Sequence, residues 1–520
     1  NDLRTVFKYN EIGNINSLDP VECSSSENSW AANQIFNGLI QLDDSLRITP
    51  CIAKSWEIST DGLTYTFKLR KDIFFHDNKI FPGGKGRNVV AQDFVYSFGR
   101  LFDPKISRAL SLVEIIKKEN EKPKINAPND SVLIITLQKP FRPFMNILSM
   151  KFFSVIPHEA IEQLGNNFGK MPIGTGAFMF KKWDDSKIVL LKNPNYFEFE
   201  GNNRLPYLDA VNITFIKDKQ SAFLQLLRGD IDMISGADAV NIDVLFDNGG
   251  RLNDEFKSKF QLQTCPYLKT DYLGFLIDEK IPGIQNSPVR IKAIRKAINY
   301  AIDREKMMRF FRSNIGKPAI HGYVPPGLPG YNFRNVSGYT YRPEKVRQLL
   351  EEAGFPDGKN LPEITLHTTE NYSDIVEFIQ AQLEKFNIKI NITIEPAREL
   401  RKAIIQNEYA FFKRSWVCDY PDPENFLFMF NTKNFSPLGQ NYFHFSNDDF
   451  DTLYETAQKE SDEHKRNALY LKMDQIVMNE APVVPLFYDQ VIRLVSNEVS
   501  GLKINSLNMP DFKTVRKFKK

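Results

Sequence analysis

Residues 364–417 alternate between strand and helix patterns, and this run constrains the fold more than any other feature of the chain. Strands are expected at 364–367, 388–395 and 411–417, with helices at 374–385 and 399–407 between them. Consecutive strands joined through helices must cross over, so a parallel or mixed sheet covered by helices follows. The same order occurs earlier, with strand 211–216, helix 219–228 and a short strand at Met233. The chain is therefore α/β.

Elsewhere the patterning is antiparallel. Residues 52–57 and 63–70 alternate apolar with polar around the turn Asp61-Gly62, as half-buried hairpin strands do. A helix is expected over about 90–102 and a hairpin over 178–183 and 188–192. The glycines of Pro172-Ile173-Gly174-Thr175-Gly176 predict a tight chain crossing where a side chain would clash. Residues 262–276 read as one long strand. Ser287 and Pro288 read as the opening of a helix that puts Val289, Ile294, Ala297, Ile298 and Ala301 on one face. Helices 447–459 and 463–479 lead into a buried strand, 482–488.

At 520 residues the chain exceeds what one core supports, and about three units are expected. Lys plus Arg (67) nearly balance Asp plus Glu (64), and the net charge of +3 argues against a nucleic-acid or membrane-surface partner. No apolar run approaches the roughly 18 residues that span a bilayer. The chain opens at Asn1 without Met, which reads as a mature product whose targeting segment has been removed. Cys23, Cys51, Cys265 and Cys418 show no CxxC or Cys/His spacing, and the six histidines are scattered, so neither a metal site nor a cofactor is expected. Neither HExxH nor GxSxG occurs, so no enzymatic motif supports catalysis.

The stretch Phe411 to Phe426, FFKRSWVCDYPDPENF, carries the functional expectation. Its β-prone run is closed by Pro421 and Pro423, which remove backbone donors and force a turn just after Asp419. An acid held at a strand end beside Trp416 suits capture of an ammonium group, because such a pair is charge-assisted and partly dry. The competing reading is an aspartate that only caps its turn. Ser24, Ser25 and Ser26 precede a helix carrying Trp30, where small hydroxyls ordinarily cap; their backbone donors are the alternative ligand contacts.

The motifs, in order, resemble one family along nearly the whole chain: the extracytoplasmic solute-binding proteins of peptide ABC importers. The resemblance is carried by SLDP at 17–20, IAKSWEISTDGLTYTFKLR at 52–70, AQDFVYSFGRLFDP at 91–104 and PIGTGAFMF at 172–180. NPNYF at 193–197, VRIKAIRKAINYAIDR at 289–304, EKVRQLLEEAGF at 344–355 and SWVCDYPDP at 415–423 complete it.

The resemblance implies a two-lobed periplasmic-binding-protein fold, type II-like with mixed sheets, with a domain inserted in lobe I and two crossover strands as a hinge. Lobe I would be 1–43, 171–264 and 488–520, the insert 44–170, and lobe III 265–487. A short peptide would lie extended in the cleft and pass to the permease subunits after the lobes close. The protein is expected to be a periplasmic or membrane-anchored monomer. By resemblance Asp419 binds the peptide's α-ammonium, Ser415, Trp416, Val417 and Cys418 supply backbone partners with Trp416 as an aromatic wall, and Ser24, Ser25 and Ser26 line the opposite edge. Tyr488 joins the ligand-binding set. Where oligopeptide-binding members carry an arginine for a ligand carboxylate, this chain has Lys413 with Arg414 adjacent, and alternation lets only one of them face the ligand. Nickel chelates, haem or oligosaccharides are the alternative solutes.

Overall fold

The computed structural model describes residues 5–236, 242–247 and 249–518. The chain divides into two compact units. The first comprises Asn1–Ile242, Asn253–Cys265 and Val491–Lys520, and the second Asp243–Leu252 and Pro266–Gln490. The chain changes unit at each end of the short excursion Asp243–Leu252 and again within two long strands, Phe260–Phe275 and Val483–Ser496.

In the first unit, Val6–Asn10 runs parallel to Ala210–Thr214, with Val6 opposite Ala210. Beyond it, the hairpin Phe178–Trp183 and Lys187–Lys192 joins antiparallel. On the other side Met233–Ser235 pairs with Arg493, Leu494 and Val495. Alternation along the first strand drives Phe7 and Tyr9 fully inward, where both rings meet Phe512 at 4.8 and 5.4 Å. A separate antiparallel sheet orders Ala53–Ile58, Thr64–Leu69, Val132–Thr136 and Ile125–Asn129. Its inward faces contribute Tyr65, Phe67, Leu133 and Ile135 to a dry core. The tight crossing expected at Gly174 and Gly176 is present: a Cβ on Gly174 would sit 2.1 Å from the Ile35 carbonyl oxygen.

In the second unit the expected crossover sheet forms. Ile364–Thr368 is parallel both to Ile390–Ile394 and to Phe411–Val417, and the last strand pairs antiparallel with Phe260–Phe275. Helices Lys292–Ala301, Pro343–Glu352 and Ser373–Glu384 bury Ile294, Ile298, Val346, Leu350 and Ile379 in one core with Leu366 and Phe411.

Two expectations change. Ser287 and Pro288 open a 3-10 turn, Pro288–Arg290, and the α-helix starts only at Lys292, because Ile291 is extended. The strand expected to end at Tyr488 continues to Ser496. Asp489 and Gln490 look like a polar stop, but Asp489 is neutralised by Lys269 at 2.8 Å and Arg312 at 2.6 Å, so the strand carries its charge inward.

Candidate functional site

Strand Phe411–Val417 is bonded along one edge and open along part of the other. Antiparallel pairing sets Arg414 opposite Tyr272 and Val417 opposite Lys269, and the Cys418 amide extends the ladder by donating to the Leu268 carbonyl at 2.9 Å. Backbone groups alternate between edges, so Arg414, Trp416 and Cys418 direct theirs to this partner. Those of Ser415 and Val417 point the other way. There the parallel register with Ile364–Thr368 stops at His367 opposite Phe412. Ser415 and Val417 therefore present an edge with no ladder partner among the described residues.

Asp419 stands just beyond this edge. Asp419 is exposed as a residue, while the protein packed around its carboxyl group desolvates it. That desolvation raises its pKa from 3.8 to about 6, against a hydrogen bond from Asn425 that lowers it. No lysine or arginine pairs with it among the described residues.

Asn425 builds this corner. Its Oδ1 accepts from the Asp419 amide at 2.9 Å and from the Trp416 indole Nε1 at 3.3 Å. Pro421 and Pro423 turn the chain, and Asp422 Oδ1 accepts from the Glu424 amide at 2.9 Å, which swings Asn425 back beneath the strand end. Glu424 takes the Tyr420 hydroxyl at 2.5 Å and also that of Tyr454. Trp416 packs against Phe428 with ring centroids 5.5 Å apart.

On the opposite face lies a buried charge cluster. The Lys413 ammonium closes on the carboxylate of Asp271, a fully buried residue that also accepts from Ser415 Oγ at 2.5 Å and lies 3.2 Å from Lys269. Lys413 further contacts the Tyr372 ring at 3.2 Å. The two lysines hold the Asp271 carboxyl well below the usual carboxylate range, although burial opposes them.

Several expected contacts are thereby corrected. Lys413 is 3% exposed and spent on Asp271, so it does not offer a cation to a ligand. Cys418 is buried, with its thiol donating to the Tyr420 carbonyl at 2.7 Å and its amide in the ladder, and Trp416 likewise turns its backbone away from the open edge. Tyr488 is buried in the second unit and donates its hydroxyl to the Gly322 carbonyl at 2.6 Å. In the first unit Ser25 caps helix Ser26–Ile35, accepting from the Asn28 amide at 3.3 Å, while Ser24 and Ser26 are exposed.

Asn425, Asp271 and Tyr372 were missed. No local signal marks Asp271 as the partner of Lys413, because the two lie 142 residues apart in sequence.

The family model for bacterial extracellular solute-binding proteins, family 5 Middle, matches residues 47–437. The chain is 28% identical over 496 residues to heme-binding protein A of Haemophilus influenzae, covering 91% of this chain and 84% of that protein. It is 26% identical over 515 residues to probable di/tripeptide-binding protein 5 of Pseudomonas aeruginosa, covering 93% and 90%. Among solved structures, the ABC transporter-associated periplasmic binding protein DppA from Helicobacter pylori, in complex with peptide STSA, superposes with a TM-score of 0.78 at 28% identity, covering 99% of this chain and 98% of that one.

Proposed function

This chain belongs to the bacterial extracellular solute-binding proteins of family 5, and on that premise we propose that it captures short peptides outside the cytoplasm and delivers them to an ABC importer. The observation that carries the reading is Asp419: an unpaired carboxylate, desolvated enough to titrate near 6, at the end of a strand edge whose Ser415 and Val417 backbone groups are open. An extended peptide added to that edge is held through its main chain whatever its side chains, and its α-ammonium supplies the charge that Asp419 lacks. The relative named for di- and tripeptides and the neighbour bound to peptide STSA support the same solute class.

Ser415, Val417 and Asp419 are the proposed peptide contacts, with Trp416 as the wall. Residues 44–170 form the proposed inserted domain. The role is binding and delivery, without chemistry on the guest. Titrating the purified protein calorimetrically with a tripeptide and its N-acetylated twin tests the reading: the free amine should bind much more tightly. Equal affinities would remove the amine from recognition, and cleavage of the peptide on incubation would make the protein an enzyme. The similarity to heme-binding protein A makes haem the second solute, and an absorbance titration discriminates it.

A further inference from the structure

A cavity of about 690 Å³ opens beyond the carboxyl ends of strands Val6–Asn10 and Ala210–Thr214, bounded there by residues 13–16 and 215–217. That volume lies within the roughly 300–1,000 Å³ of small-molecule sites. The two strands are parallel neighbours whose exits part. The first leads to helix Ser26–Ile35, packed on Phe178–Trp183, and the second to helix Lys219–Arg228, packed on Met233–Ser235. Such a parting beyond a parallel pair leaves the crevice in which α/β sheets hold ligands. Every described lining residue belongs to the first unit, and neither the serines at 24–26 nor strand Phe411–Val417 contributes.

The lining suits an anion on a flat apolar body. Pairing of Phe178–Trp183 with Lys187–Lys192 slips between Phe180 and Lys182, and this bulge lets the consecutive Lys182 and Trp183 both line the cavity, where strict alternation would separate them. Lys170 sets its ammonium 3.5 Å from the centre of the Trp183 ring. Packing lowers its pKa, and no carboxylate among the described residues offsets that desolvation. Lys217 donates to the Ile12 and Gly13 carbonyls at 3.0 and 3.3 Å and to Asn14 Oδ1 at 2.5 Å, which fixes the rim without neutralising the charge. Glu11, whose charge reaches Lys217, is itself pushed up to about 7 by burial, so it offsets that charge only in part. Of the two acids in the lining, Asp184 is taken by Lys182 at 2.6 Å and by the amides of Ser186 and Lys187, and Asp185 is exposed to water. The half-buried rings of Phe180, Trp183 and Phe215 supply the apolar walls. We propose that this cavity takes a second guest, a small planar molecule with one anionic head, holding the head at Lys170 and the body against these rings.

The test is calorimetry on the full chain with indole-3-acetate and its neutral twin, indole-3-acetamide. The acid should bind about tenfold or more tightly than the amide, because only its contact with Lys170 is charge-assisted on both sides. Lys170→Gln should collapse that ratio towards one while leaving tripeptide affinity unchanged, and Lys170→Arg should retain most of it. Trp183→Ala should weaken both probes together. Saturating the protein with a tripeptide should leave the affinity for the acid as it was. Equal affinity for acid and amide, a native-like ratio in Lys170→Gln, or no binding of either probe overturns the proposal and leaves peptide capture standing. Displacement of the acid by the tripeptide also overturns it, by placing the anion at the peptide edge.

Discussion

Asn425 holds Trp416 and Asp419 through a single oxygen: its Oδ1 accepts from the indole of one at 3.3 Å and from the backbone amide of the other at 2.9 Å. The aromatic wall and the acid are thus one rigid corner, fixed by a side chain that itself lies under the strand end. Asn425→Ala leaves two donors without their acceptor and should cost about 1–3 kcal/mol of stability. It should also weaken peptide binding, because Asp419 loses its anchor. Thermal unfolding and calorimetry on the same preparation check both.

Asp419→Ala should weaken binding of a free-amino tripeptide by about 2–5 kcal/mol, the range for truncating one partner of a desolvated ion pair. The N-acetylated tripeptide, which has no ammonium to lose, serves as the comparison. Unchanged calorimetric affinity of the variant for the free-amino peptide would place the amine elsewhere.

Affinity should also follow pH. The free protein's Asp419 titrates near 6, and only its ionised form attracts an ammonium. Binding should therefore be strongest between about pH 6 and 8, weaken as pH falls through 6 by at most about tenfold per unit for one linked proton, and weaken again above about pH 8 as the peptide's own α-ammonium loses its proton. Asp419→Asn should abolish the acid-side slope. An acid-side slope that persists in the variant assigns the proton to another group.

Removing Lys413 acts on stability. Lys413→Met leaves Asp271 buried with only Lys269, at 3.2 Å, to offset its charge. A loss of about 3 kcal/mol is expected, since breaking a buried pair strands the remaining ion. The double variant Lys413→Met, Asp271→Leu should recover much of that loss in urea unfolding.

Asp474 gives a second, independent pH dependence. This fully buried carboxylate accepts from the amides of Tyr323 and Val324 at 2.7 and 3.3 Å and from the Tyr331 hydroxyl at 2.8 Å, yet burial still raises its pKa to about 6. The folded chain binds the proton more tightly than the unfolded one. Its contribution to stability is therefore complete below the ordinary value of 3.8 and falls by about 3 kcal/mol as pH rises through 6. Asp474→Asn should remove that component of the pH profile while costing about 1–3 kcal/mol, because its amide faces donors.

The crossover sheet was legible because strand and helix periods alternate cleanly over 364–417, and Phe411–Val417 falls where its β-prone run places it. The start of helix Lys292–Ala301 was not, because Pro288 opens a 3-10 turn as readily as an α-helix and nothing local marks Ile291 as extended. Within the site, the position of Asp419 at a strand end follows from the two prolines that succeed Tyr420. The fate of Lys413 does not, since its partner Asp271 lies 142 residues away in sequence. Asn425 was hidden for a related reason: in PDPENF it reads as one more turn residue, and only the folded corner shows what it holds.

The unpaired backbone of Ser415 and Val417 is indifferent to where an extended chain comes from, and the Val417 side chain beside it is 41% exposed. A strand margin of this kind templates self-association as readily as cargo uptake. Starved protein at high concentration should therefore be stickier than loaded protein, so that cargo shields the very surface that receives it.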